Sequence, residues 1–152
     1  MLSHEQFDLP PPVGESAVPE GQDRYYHQTH VENLPAIREQ GLLASRSQVR
    51  EGESGVHLSR EPWNDPSQHE HVATIEVAVP HHEGGPSHRI EGEDIHPSRF
   101  LAVHEPWHHK ARLLLSDPRH LRNTLDGKND SALGDPVWGP AIRYVKQLHG
   151  AS

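Results

Sequence analysis

No cysteine occurs in the 152 residues. This excludes a disulfide framework, thiolate metal ligation and a cysteine nucleophile. Apolar residues make up only 32% of the chain, below the ordinary range, so a modest core with much loop is expected. No apolar run approaches the roughly 18 residues of a membrane-spanning helix. No basic segment followed by an apolar stretch opens the chain, so no secretory leader is expected, and these features together fit the cytoplasm. The phosphate-loop motif, the dinucleotide glycine fingerprint and the HExxH zinc pair are all missing.

What the chain has instead is proline (14), glycine (12) and histidine (15), with a formal charge of −8. The net sign disfavours a broad electrostatic grip on nucleic acid, although a local basic cleft is compatible with it. Fifteen imidazoles make the surface charge pH-dependent near pH 6. The pairs His69/His71, His81/His82 and His108/His109 lie near Glu70, Glu83 and Glu105. Their spacing matches no recognised zinc pattern, so no metal site is assigned.

Residues 1–22 read as an extended, proline-rich tail or wrapping arm, and 23–150 as one domain. Arg24 to Thr29 suits a strand. A helix follows with Val31, Leu34, Ile37 and Leu42 on one stripe, Pro35 in its first turn and Gly41 at its stop. Residues 44–54 form a polar loop with Arg46 and Arg50. Strands are expected at 55–59, 71–79, 87–91, 99–104 and 111–115, with a hairpin-like link at 80–86. A helical turn at 117–125 and a final helix at 140–149 complete the reading, with Ile142, Val145 and Leu148 inward. Trp63, Trp107 and Trp138 neighbour Pro or Gly and are expected to pack loops on the core. The order is α+β, not a βαβ repeat.

The string THVENLPAIREQGLL, preceded by Tyr26-His27-Gln28, resembles the first signature of the ADP-ribosyltransferase superfamily. That signature is a strand ending in His-x-Thr, then a helix ending in Gly-Leu. The match is strongest to the DarT-type DNA ADP-ribosyltransferases. KptA-type RNA 2′-phosphotransferases are more distant relatives, whose second signature looks like Val56-His57-Leu58-Ser59. The two motifs cover about a third of the chain.

The resemblance implies a split pair of mostly antiparallel sheets around a cleft, with NAD as substrate and an ADP-ribosyl group passed to a DNA or RNA base or a protein side chain. His27 would hold the ribose. Gln28, where the family usually has glycine, and Thr29 would border the nicotinamide. Arg46 or Arg50 would grip the pyrophosphate, since guanidinium matches phosphate geometry, while His57 and Ser59 would line the pocket. Glu91 and Glu93 are the candidates for the carboxylate that stabilises the oxocarbenium-like transition state, and a stricter strand alignment puts His88 at that position. Two alternatives accompany this reading: a KptA-like NAD-dependent 2′-phosphotransferase, and a nucleotide- or partner-binding domain of the same fold without catalysis.

Overall fold

A computed structural model describes residues 9–44, 55–61 and 71–150. The chain divides into two compact units. One is built on a sheet and, among the described residues, comprises 10–44, 55–61 and 71–104. The other is helical and comprises Leu9 and 105–150.

Among its described residues the sheet unit holds five strands: β1 (Gln22–His30), β2 (Val56–Ser59), β3 (Val72–Pro80), β4 (His88–Glu91) and β5 (Phe100–His104). Their order is β4-β2-β1-β3-β5, with every pairing antiparallel. Two sheets were expected; the described strands form one. The α+β assignment stands. The link at 80–86 is not a hairpin, because β3 and β4 are not neighbours. It carries the chain to the far edge, where β4 pairs with β2.

Strand alternation sends Tyr25, Ile75, Val77, Val79, Val56 and Leu58 to one face, and these build the main core. A 3₁₀ turn and helix α1 (Leu34–Gln40) cover that face. Leu34 and Leu42 are buried, and Val31 and Ile37 pack beside them. Burying side chains such as Leu58, Ile75 and Ile95 contributes about 1.5–3 kcal/mol each.

Pro35 stands in the first turn of α1 and Gly41 ends it. Gly41 has φ +83°, and a Cβ there would lie 2.2 Å from the Ile95 carbonyl oxygen. That close approach lets Leu42 and Ile95 exchange backbone hydrogen bonds of 2.9 and 2.8 Å. Only glycine meets both demands without strain.

The opposite face of the sheet is polar. Arg24, Tyr26 and Gln28 of β1 register against Ala78, Glu76 and Thr74 of β3, and Glu76 and Thr74 register against Ala102 and His104 of β5. Part of the sequence-predicted tail crosses this face, where Gly14 and Ser16 hydrogen-bond to Glu76.

The helical unit contains α2 (Pro106–Ser116), α3 (Pro118–Leu125) and α4 (Trp138–Leu148) around Ala111, Leu114, Ala141, Ile142 and Val145. The strand expected at 111–115 is therefore helix. The run Ala-Arg-Leu-Leu-Leu is ambiguous by periodicity, and a reciprocal cap between Glu105 and His108 sets a helical start ahead of it. The turn at 117–125 is a full helix, capped by the Asp117 side chain. α4 begins two residues earlier than expected, because the Asp135 carboxylate accepts from the Val137 and Trp138 N–H groups. Ile142 and Val145 face inward, whereas Leu148 is exposed. Trp107 and Trp138 pack against this helical core, and Trp63 lies outside the described residues.

Candidate functional site

β1 pairs with β3 along its whole length, from Gln22–Pro80 to His30–Val72. With β2 it registers only at Tyr26–Ser59. Beyond that point the Cβ of His27 projects toward the α1 side, and its ring reaches the neighbouring strand: Nδ1 lies 3.0 Å from the His57 carbonyl oxygen. A carbonyl only accepts, so Nδ1 carries the proton. Burial pushes the His27 pKa below its usual 6.5, against the raising effect of that same hydrogen bond. The imidazole is thus neutral at pH 7, and Nε2 is left as an acceptor.

Two residues along the same face, Thr29 joins His27 in the wall of a groove of about 240 Å³. Asn33, Ala36, Ile37 and Gln40 of the helical segment and residues 41–43 form the rest of the lining. The Asn33 amide donates to the Thr29 hydroxyl oxygen at 3.1 Å. The hydroxyl proton of Thr29 is therefore free to be donated elsewhere. His27 and Thr29 together offer one acceptor and one donor at the mouth of a small cavity with an apolar floor.

The other sequence-predicted residues distribute unevenly. Gln28 points to the polar face, where its amide donates to Thr74 Oγ1 at 3.4 Å, so it and the His27–Thr29 pair lie on opposite sides of β1. His57 and Ser59 also lie on the polar side by their register with β1. His88 registers with Ser59, and its Nε2 sits 3.1 Å from His57 Nδ1. Glu91 registers with Val56 and so shares the face of His27. Its carboxylate meets Arg89 at 2.5 Å. Glu93 is an exposed residue in the bend after β4. Arg46 and Arg50 lie outside the described residues. The register thus separates two of the three candidates for the carboxylate position: Glu91 lies on the groove's side of the sheet and His88 on the reverse.

Two groove residues, Asn33 and Gln40, were missed as candidates. Asn33 belongs to the helix-start string that carries the resemblance, and its spacing of four from Thr29 was the available signal. A larger omission is Glu76, a fully buried carboxylate in the middle of β3. It accepts from the Gly14 N–H at 2.8 Å and from Ser16 at 3.4 Å, and meets Arg24 Nε at 3.2 Å and His104 Nε2 at 2.6 Å. Arg24 in turn donates to the Ser16 carbonyl. Burial pushes the Glu76 pKa up, but its bonds to His104 and Gly14 and the Arg24 charge overcome this and hold it below 4.5. Burial and the Glu76 charge push the Tyr26 phenol up. Every member of this cluster is engaged by another, which marks it as scaffold.

Among the described residues no group of three or more His, Asp or Glu side chains is placed to hold a metal ion, and no helix is long and apolar enough to cross a membrane. No family model, curated protein or solved structure matches the chain.

Proposed function

We propose that the sheet unit binds NAD and transfers its ADP-ribosyl group, with release of nicotinamide, to a nucleic-acid base or a protein side chain. The observation that carries this reading is the pairing of a neutral, orientationally locked His27 with Thr29 in one groove wall. An acceptor nitrogen and a donor hydroxyl two residues apart suit a ribose hydroxyl and a neighbouring carboxamide. A cavity of about 240 Å³ is smaller than the ~300–1,000 Å³ of sites that enclose a drug-sized ligand. It suits the nicotinamide-ribose end of the dinucleotide, with the remainder lying along the surface.

In this reading the C1′–N bond breaks and its electron pair leaves with nicotinamide. The ribose acquires oxocarbenium character, and the acceptor's nucleophile then bonds to C1′. Glu91, which shares the groove's side of the sheet without lining the groove itself, would be the carboxylate that stabilises that charge. Freed from Arg89, it would also orient the acceptor. His27 Nε2 fixes the ribose through a hydroxyl it accepts from.

A second reading, a nucleotide-binding domain of the same fold without turnover, is favoured by one contact: Glu91 is already neutralised by Arg89 at 2.5 Å. One assay separates the two. The full chain is incubated with NAD, alone and with DNA, RNA, 2′-phosphorylated RNA or protein, and free nicotinamide is measured. Release that falls at least tenfold in His27→Ala, the loss expected for one substrate hydrogen bond plus its orientation, supports transfer. Saturable NAD binding without release supports the second reading. Neither binding nor release sinks both.

A further inference from the structure

We infer that this chain associates with a second copy of itself by antiparallel pairing of β4 with β4 about Ile90, extending the sheet across a two-fold axis. Among the described residues β4 pairs with β2 alone and forms one edge of the sheet. Arg60 N–H donates to the Ser87 carbonyl at 2.9 Å. By the alternation of an antiparallel ladder, Arg89 and Glu91 direct their backbone groups to β2, and His88 and Ile90 direct theirs outward. The free edge therefore presents the Ile90 N–H and C=O, a donor and an acceptor that a second Ile90 satisfies reciprocally.

The side chains obey the same symmetry. A two-fold axis perpendicular to the sheet requires facing residues to share a face. Centred on Ile90, it sets Ile90 against Ile90, and Arg89 against Glu91 of the other copy, twice per dimer. Ile90 is 49% exposed, one of three exposed large apolar side chains among the described residues. On the opposite face Arg89 and Glu91 lie 2.5 Å from each other, and Arg89 also donates to the Pro80 carbonyl at 2.8 Å and packs over the Tyr25 ring. Shifting the centre by one residue would oppose Arg89 to Arg89 or Glu91 to Glu91, which like-charge repulsion disfavours. The strand is thus complementary to its own reversed copy in one register. Unpaired edges invite such addition, and isologous two-fold contacts are the commonest way chains self-associate.

The strand is four residues long, so the contact falls short of the ~1,200–2,000 Å² of a standard stable interface. The dimer is accordingly weak and appears at micromolar to millimolar concentration. This inference does not rest on the proposed activity, since association is read by mass alone.

Sedimentation of the intact chain from about 10 µM to about 1 mM should show a monomer–dimer equilibrium. Ile90→Lys, on an exposed side chain, should weaken association about tenfold or more. The decisive experiment uses Arg89→Glu and Glu91→Arg as separate proteins. Each alone sets like charges against each other and should stay monomeric. Mixed one to one, the two should pair, because Glu at 89 faces Arg at 91 and Glu91 faces Arg89. Neither variant retains the ion pair within its own strand, so recovery in the mixture reports contact between copies. A wild-type monomer throughout, a dimer unaffected by Ile90→Lys, or a mixture that stays monomeric would each overturn the proposal.

Discussion

The two faces of the sheet engage their polar side chains differently. On the face under α1, the core is apolar, with Tyr25, Ile75, Val77 and Leu58. Its polar groups border that core: His27 and Thr29 in the wall of the groove, Arg89 and Glu91 on the edge strand. On the reverse face the polar groups meet one another across β1, β3 and β5. Arg24, Glu76, Thr74 and His104 are bonded or registered to one another, and Glu76 and His104 are almost fully enclosed. A fully enclosed polar group must find its partner inside the protein, because burying it unpaired is costly. One that borders a groove can leave an atom for a ligand. The most buried carboxylate among the described residues of the sheet unit is therefore scaffold, and the half-buried histidine is the better candidate for binding.

The comparison is broken most directly at Glu76. Glu76→Ala leaves Arg24 and His104 without their carboxylate and releases the Gly14 N–H. The expected loss is about 3–5 kcal/mol, read from urea unfolding followed by circular dichroism. A loss below about 1 kcal/mol would mean that the polar groups of the reverse face do not act as a unit.

Next in size is Gly41→Ala, at the lip of the groove. The added methyl meets the Ile95 carbonyl at 2.2 Å in a left-handed backbone, so a loss of about 1–3 kcal/mol is expected. The same unfolding assay reads it, and no loss would deny that α1 is pinned where the groove needs it.

Acid sharpens the contrast, because the two faces respond in different windows. His27 has a folded pKa below the ordinary 6.5. As pH falls through 6.5 the unfolded chain binds a proton that the folded one refuses, so stability declines from there down to the lowered value. Glu76 has a folded pKa below 4.5, so its contribution is fully present above 4.5 and is lost as pH falls through the folded value. Urea midpoints measured from pH 8 to 3 should therefore show two declining segments, and His27→Asn should flatten the upper one alone.

The smallest effect on stability belongs to Thr29→Val. The hydroxyl at the groove margin accepts one exposed hydrogen bond from Asn33, so unfolding should shift by no more than about 0.5 kcal/mol. Affinity for NAD, measured by calorimetry, should fall roughly three- to tenfold. A variant with intact affinity would remove Thr29 from the binding wall.

Local chemistry made several elements legible in advance. Pro35 and Gly41 bracket α1 because each has a backbone preference that needs no distant partner. Period-two alternation located β3, and β4 and β5 fall within a residue of their expected bounds. His27 and Thr29 were readable as a pair because alternate residues of a strand share a face whatever the tertiary fold. The run at 111–115 was misread because its apolar pattern suits helix and strand alike, and the Glu105–His108 cap that decides it is a side-chain geometry.

Other features depended on which strands became neighbours. Nothing in Glu76 or His104 announces their partnership, 28 residues apart; it exists because β3 and β5 pair in one register. That Glu91 shares a face with His27, while Gln28, His57, Ser59 and His88 turn away, follows from the order β4-β2-β1-β3-β5. Alternation along a strand is local, but the side to which each set turns is chosen by long-range pairing. The residues themselves thus specified which side chains travel together, and assembly of the sheet determined which of those sets meet.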